Sequence, residues 1–304
     1  MTIPIKLDPR AVQKAIRNIE GADLGTVTIS ELENFLVPIL RRYAINAPRY
    51  SPPLYVYRGR ICEKPSNISE IGYPPAEFTQ RGRANDIGET LFYATTARSV
   101  PFFELDVQPD CFLSLSQWKT EHHLLLNHIG FSSEPDSFLE STRSIDEIYQ
   151  FVKSTRSLGD INSLVYDYLA AKFSHAVTRN NQDYYKLTVA ISRKMFQDDI
   201  FDGLLYPTIQ MKGNADNITL KPTYADSSLK FVSTEYIYVK STIGMKYDID
   251  VLDSATRLGE DGTLRWSGRG LNWALENKDD QLEMVSEGCA LVAYDTAGNR
   301  IDPV

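Results

Sequence analysis

Two arginines and a glutamate, set among glycines, aromatics and apolar residues, are the side chains of this 304-residue chain best suited to chemistry. They lie in three strings: YRGR at 57–60, GRANDIGETLFYATTARSVPFFEL at 82–105 and DGLLYPTIQMKGNADNITL at 202–220. The planar fork of an arginine can take phosphate oxygens in pairs. A carboxylate such as Glu104, in the apolar run PFFEL, is costly to bury unless it has partners. Tyrosines in the same strings offer flat faces for a ring and hydroxyls for polar atoms. Other chemistries lack their signatures: there is no GxGxxG after a strand, no P-loop, no HExxH and no GxSxG. The histidines of EHHLLLNH (His122, His123, His128) have neither one-turn helical pairing nor a nearby Cys or acidic partner, so the segment reads as a helix face or loop and no metal site is expected.

Taken in order, the strings resemble the RES-domain family, bacterial proteins named for an Arg, a Glu and a Ser. Arg58 in YRGR is similar to the family's first arginine, and Gly82-Arg83-Ala84-Asn85 with Gly88 to its GRxN…G segment. Phe92-Tyr93-Ala94 is similar to its LY(L/F)A strand, and Glu104 falls at its glutamate. Asp202-Gly203 with Tyr206-Pro207 resembles the DG…YPS stretch, and Asn217 suits the asparagine that follows. The chain departs at the serine, where it has Thr208, which keeps a hydroxyl but restricts its rotamer by β-branching. The resemblance spans residues 54–224. It implies an α+β fold with an ADP-ribosyltransferase-like mixed β core and flanking helices. It also implies NAD as substrate rather than as a prosthetic group, consumed by hydrolysis or phosphorolysis, with a role as a toxin or defence effector. A cognate antitoxin protein is the expected partner.

Cleavage of the nicotinamide–ribose bond needs the pyrophosphate held, the sugar oriented and the oxocarbenium-like charge stabilised. In that scheme Glu104, Arg58 and Thr208 carry the reaction: the carboxylate offers negative charge and a bond to a ribose hydroxyl, and the arginine grips phosphate. Arg83, Tyr93, Tyr57, Asn85 and Tyr206 hold the dinucleotide, with Arg60 and Arg81 close by. Each residue also has a plainer role open to it. Arg58 could pair with a surface carboxylate, Glu104 could sit on a strand edge in water, and Arg83 and Asn85 could brace a loop. Tyr93 and Tyr206 could simply pack. Two other functions share these residues: transfer of ADP-ribose to a macromolecule, and a non-catalytic nucleotide- or partner-binding module in which Thr208 marks a decayed site.

The formal net charge of −8 argues against a general nucleic-acid or anionic-membrane surface, although a small basic pocket remains compatible with it. Cys62, Cys111 and Cys289 are scattered without CxxC spacing, giving neither a disulfide framework nor a zinc cluster. With no secretory signal or bilayer-spanning apolar run, a cytoplasmic protein is expected. The sequence leaves the oligomeric state open.

Residues 1–50 read as a helical N-terminal extension: Asp8-Pro9 starts one helix that Gly21 stops, and a Ser30/Glu33 capping box starts another that ends between Tyr43 and Pro48. Residues 51–230 form the RES-like catalytic domain, with strands at LYVYRGR, TLFYAT and FFELDV and a long loop over 63–90. Helices follow at SIDEIYQFVKS, INSLVYDYLAAKFSHAV and YYKLTVAISRKMF, then strands GLLYPTI and NITLKP. Residues 231–304 are a β-rich C-terminal part, packed onto the same domain or beside it. KFVSTEYIYVKS leads into it and IGMKYDIDV follows, then a hairpin turn at Asp261-Gly262 and a last strand, CALVAY. Helices, strands, helices and then many strands make an α+β layout.

Overall fold

The computed structural model describes residues 7–41, 43–44, 47–131, 159–196, 200–244 and 246–268, and the backbone of strands within 281–301. It is a mixed α+β structure built on an open, mostly antiparallel sheet. The strands are β1 (Arg49–Tyr50), β2 (Tyr55–Ile61), β3 (Phe92–Thr95), β4 (Cys111–Thr120), β5 (Leu124–His128), β6 (Gly203–Pro207), β7 (Asp216–Leu220), β8 (Leu229–Ile243), β9 (Lys246–Leu258), β10 (Leu264–Trp266), β11 (Gln281–Glu287), β12 (Ala290–Tyr294) and β13 (Arg300–Ile301). Their order is β1-β5-β6-β7-β3-β2-β4-β8-β9-β11-β12-β13, with β10 also paired to β9. Only β5 and β6 run parallel among these pairs. Strand β8 begins at Leu229 and pairs with β4 along its length, so the C-terminal strands continue the sheet that starts within residues 51–230.

The helices are α1 (Pro9–Glu20), α2 (Ile29–Leu40), α3 (Val100–Glu104), α4 (Asp160–Phe173), α5 (Tyr185–Phe196) and α6 (Pro222–Ser228). Asp8 caps α1 with Pro9 in its first turn, and Gly21 ends it, as the sequence suggests. The second helix starts earlier than expected, because Thr28 and Glu31 form the capping box. The same Ser/Thr-x-x-Glu spacing occurs twice, and the earlier frame brings both Ile29 and Leu32 into the buried face. Glu33 instead reaches Arg193 of α5 at 3.3 Å. The helix also stops at Leu40, short of the expected Tyr43–Pro48.

FFELDV is not a strand. Pro101 sits in the first turn of the short helix α3, whose Val100, Pro101 and Phe102 are buried, and Asp106 at φ 47° turns the chain out of it. Of EHHLLLNH, read as a helix face or loop, Glu121 and His122 form a bend and Leu124–His128 is strand β5, in which Leu124 and Leu126 are wholly buried. The apolar run is continuous because this strand is flanked in the sheet by β1 and β6 and packed over by other elements, so it carries no alternation to read. Strands β4 and β11 were not anticipated from the sequence, while β12 falls within CALVAY. The expected long loop over 63–90 holds two 3-10 turns, Ile68–Glu70 and Ala76–Phe78. The helix expected at SIDEIYQFVKS lies outside the described residues.

Alternation in the sheet divides the core. Leu204 and Tyr206 of β6 pack with α1, α2, α4 and α5 on one face, while Leu205 joins Phe92, Leu126, Ile218 and Tyr224 on the other. Under α3, Phe102 and Val107 bury Leu113, Leu115, Ile237 and Val239. The N-terminal helices are thus part of the main core and form the layer behind Tyr206. Full burial of each large aliphatic side chain stabilises by about 1.5–3 kcal/mol.

Two stability effects follow. Leu36→Ala, at a site with 0% exposure, lowers the unfolding free energy by about 2–5 kcal/mol in urea denaturation. At the end of β5, burial pulls the pKa of His128 down to about 4, with Nε2 2.8 Å from the Tyr50 hydroxyl. The unfolded chain therefore binds a proton that the folded chain refuses, so stability declines as pH falls from about 6.5 to about 4, by roughly 3 kcal/mol. A His128→Gln variant loses less stability over the same pH interval, which parallel urea curves at the two ends of it measure.

Candidate active site

The sheet register brings distant strings onto one wall. Tyr57 of β2 pairs with Thr95 of β3, Thr95 with Asn217 of β7, and Asn217 with Tyr206 of β6. Directly opposed residues share a face, so this row crosses four strands on one side of the sheet. Above it lies a cavity of about 450 Å³, also lined by Arg58, Arg83, Tyr93, Glu104, Tyr185 and Gln210. That size suits a small organic ligand.

Glu104 reaches the cavity from the last residue of α3, not from a strand. One of its oxygens, Oε1, accepts from the Thr208 hydroxyl and, at 2.9 Å, from Asn217 Nδ2. Its Oε2 has no partner among the described residues. Thr208 is completely buried, so its role is to fix the carboxylate rather than to line the cavity. β-Branching suits that role, since a stiff side chain aims its hydroxyl in one direction. The low position of α3 on the sheet depends on Gly59: a Cβ there would lie 2.7 Å from Pro101 Cβ and 3.0 Å from Leu105 Cδ1.

Arg58 has no carboxylate partner among the described residues, unlike the surface pairing open to it from sequence. Its Nε donates to Gly72 O at 3.0 Å and its Nη1 to Tyr93 O at 2.8 Å, tying β3 to the loop at Gly72. The guanidinium carbon lies 5.6 Å from the centre of the Phe92 ring. Burial, helped by the nearby Arg60 charge, pulls its pKa down to about 10, which leaves it a cation at neutral pH. A cation without a counter-charge beside a cavity is suited to an anionic ligand. Arg60 is exposed and donates to Glu70 O, and Arg81 pairs with Asp86 at 2.8 Å; neither lines the cavity.

Arg83 donates from Nη1 to Phe173 O at 2.5 Å and His175 O at 3.1 Å, at the end of α4 where helix carbonyls lack intrahelical partners. Its guanidinium lies between the rings of Phe173 and Tyr185, 6.0 and 5.8 Å from their centres. These contacts hold it against the cavity wall. Asn85 is set back from the cavity and is 2% exposed. Its Oδ1 accepts from the Tyr93 hydroxyl at 2.7 Å, and its Nδ2 donates to Gln80 O and Asp86 O. The same hydroxyl accepts from Ala84 N at 3.0 Å. Asn85 therefore braces the loop and fixes the Tyr93 ring. Burial pushes the Tyr93 and Tyr206 hydroxyls well up, so both stay neutral donors. Tyr206, 4% exposed and edge-on to Phe173 at 5.2 Å, lines the cavity with a hydroxyl that has no partner among the described residues. Tyr57 also lines it, with its hydroxyl accepting from Gln117 at 3.1 Å.

Seven of the eight residues singled out from sequence therefore converge here, six lining the cavity and Thr208 holding Glu104, while Asn85 stands one contact behind. Sequence reasoning did not find Tyr185, Gln210 or Thr178 of the lining. Tyr185 begins α5 and carries no local signal, since only the packing of α5 on the sheet brings it to Arg83. Asn217, which only the resemblance singles out, stands opposite Tyr206 in the sheet and lines the cavity. Among the described residues no cluster of His, Cys, Asp or Glu could hold a metal ion, and no helix is long and apolar enough to cross a membrane.

No family model matches the chain, and no curated protein matches it.

If Gly59 sets the height of α3, Gly59→Ala displaces that helix and costs about 1–3 kcal/mol of stability in thermal or urea unfolding, whereas Arg60→Ala, at the exposed next position of β2, costs under about 1 kcal/mol.

Proposed function

We propose that the chain cleaves the nicotinamide–ribose bond of NAD by hydrolysis or phosphorolysis, the activity implied by its RES-domain resemblance. The observation that carries this reading is the shared cavity: a carboxylate with one free oxygen lines the same space as Arg58 and Arg83, which have no carboxylate partner among the described residues, and as Tyr57, Tyr93, Tyr185 and Tyr206. A dinucleotide brings a matching set of groups, namely a pyrophosphate, two flat rings and ribose hydroxyls. Arg58 and Arg83 grip the pyrophosphate, and the tyrosines flank the rings and donate to polar atoms.

In the reaction the bond from ribose C1′ to the pyridinium nitrogen breaks, and its electron pair neutralises the positive ring. Nicotinamide then leaves uncharged and needs no strong general acid, and the described residues lining the cavity include no histidine. Glu104 stabilises the positive charge that develops on the ribose and bonds a ribose hydroxyl through Oε2. Water, or inorganic phosphate, forms the new bond to C1′ and gives up its proton to solvent or to the carboxylate. Thr208 and Asn217 keep Oε1 occupied, so the carboxylate does not turn away as charge develops. In this reading the sheet around β2, β3, β6 and β7 is an ADP-ribosyltransferase-like core. The protein acts in the cytoplasm as a toxin or defence effector under the control of an antitoxin protein.

Glu104→Gln keeps the size and the Thr208 and Asn217 contacts near Oε1 while removing the charge. NAD consumption by the purified variant is expected to fall about 100-fold or more with the unfolding midpoint nearly unchanged. Unchanged consumption removes Glu104 from the reaction. NAD labelled in the adenylate half separates the fates of the product: free ADP-ribose or its 1-phosphate supports the proposal, and label on a macromolecule assigns transfer instead.

A further inference from the structure

Helix α3 is five residues long, too short to hold its own position. Its surroundings on the side away from Thr208 show what holds it. Arg98, one residue before the N-cap Ser99, forms an ion pair with Glu235 of β8. The Glu235 side chain is 3% exposed and that of Arg98 22%, so the pair is largely withdrawn from water. Glu235 lies opposite Leu115 of β4 and Ser254 of β9, on the sheet face where Ile237 and Val239 pack against Phe102 of α3. Further along the sheet, opposite Thr242 of β8, Tyr247 of β9 donates its hydroxyl to Phe102 O at 3.2 Å, and its ring meets those of Phe102 and Phe103, each 5.3 Å away.

We infer that Glu235 of β8, gripping Arg98 ahead of α3, and Tyr247 of β9, bonded to Phe102 within it, form a clamp that positions Glu104 in the cavity. These residues touch neither the cavity nor Glu104, so they are positioning residues. The inference rests on the catalytic reading of Glu104. Its physical ground is the chemistry of the pair. Two buried charges are a weak source of stability, since a pair of well-packed apolar residues does as well or better. What an ion pair adds is direction: a guanidinium and a carboxylate meet in few geometries, and each prefers the other over any apolar neighbour. Arg98 leads through Ser99 directly into α3, whose last residue is Glu104, so fixing the first fixes the start of α3. Tyr247 then fixes its middle, and Gly59 its floor. Residues 231–258, outside the part of the chain that resembles a known family, thereby become part of the reactive apparatus.

The double variant Arg98→Met/Glu235→Leu removes both charges without stranding either, and Tyr247→Phe removes one hydrogen bond and keeps the ring. Neither is expected to lower the unfolding midpoint by more than a few degrees. Both are expected to reduce kcat for NAD, about tenfold or more in the double variant, with KM changed less than about twofold, because the grip on the dinucleotide is intact. Backbone hydrogen exchange of 100–107, which needs no substrate, should quicken in both, and Arg98→Lys should recover part of kcat. An unaltered kcat, or a kcat loss matched by a collapse of the unfolding midpoint, overturns the clamp. Should the unaltered protein leave NAD intact, the NAD reading falls and the clamp's catalytic role with it. Exchange at 100–107 still reports whether α3 is anchored as described: unchanged exchange overturns that too.

Discussion

One carboxylate fixed at one oxygen and open at the other is the constraint on which the arrangement depends. Glu104 has its Oε1 held by Thr208 and Asn217, two side chains from different parts of the β6–β7 hairpin. Holding it there requires a helix at a set height over β2, which Gly59 allows by having no side chain. It also requires β7 beside β3, which brings Asn217 opposite Thr95. The strand order, the glycine and the short helix all serve the same point in space.

The opposing cation is organised by different means. Arg58 is held by backbone carbonyls and an aromatic face, and no acid among the described residues neutralises it. Arg83 is likewise held by the carbonyls at the end of α4 and by two rings. Neutral partners position an arginine without cancelling its charge, whereas salt bridges would do both. Arg193, by contrast, pairs with Glu89 and Glu33 and belongs to the scaffold, linking α2, α5 and the loop that carries Arg83.

What could be read from the sequence follows from which signals are local. The caps of α1, the strand around Arg58, the helices α4 and α5 and the Asp261-Gly262 turn have local signatures, and each forms close to where the pattern suggests. The PFFEL segment misleads because its aromatics favour a strand until the turn after Leu105 is known. Strand β5 lacks alternation because it is buried on both faces. The sequence places the site residues by type and order but leaves their roles open, with ligand contact and loop bracing both available to Asn85. Asn85 and Thr208 hold other groups in place, a distinction that only tertiary contacts make. Tyr185 was invisible for the same reason.

The proposed reaction has this cavity take NAD and sever it at the nicotinamide. Proton NMR of NAD mixed with the unaltered chain tests it most directly. Signals of free nicotinamide are expected to grow as those of the nicotinamide riboside half disappear, one for one. A spectrum in which NAD persists unchanged, with protein at a concentration comparable to the dinucleotide, contradicts it.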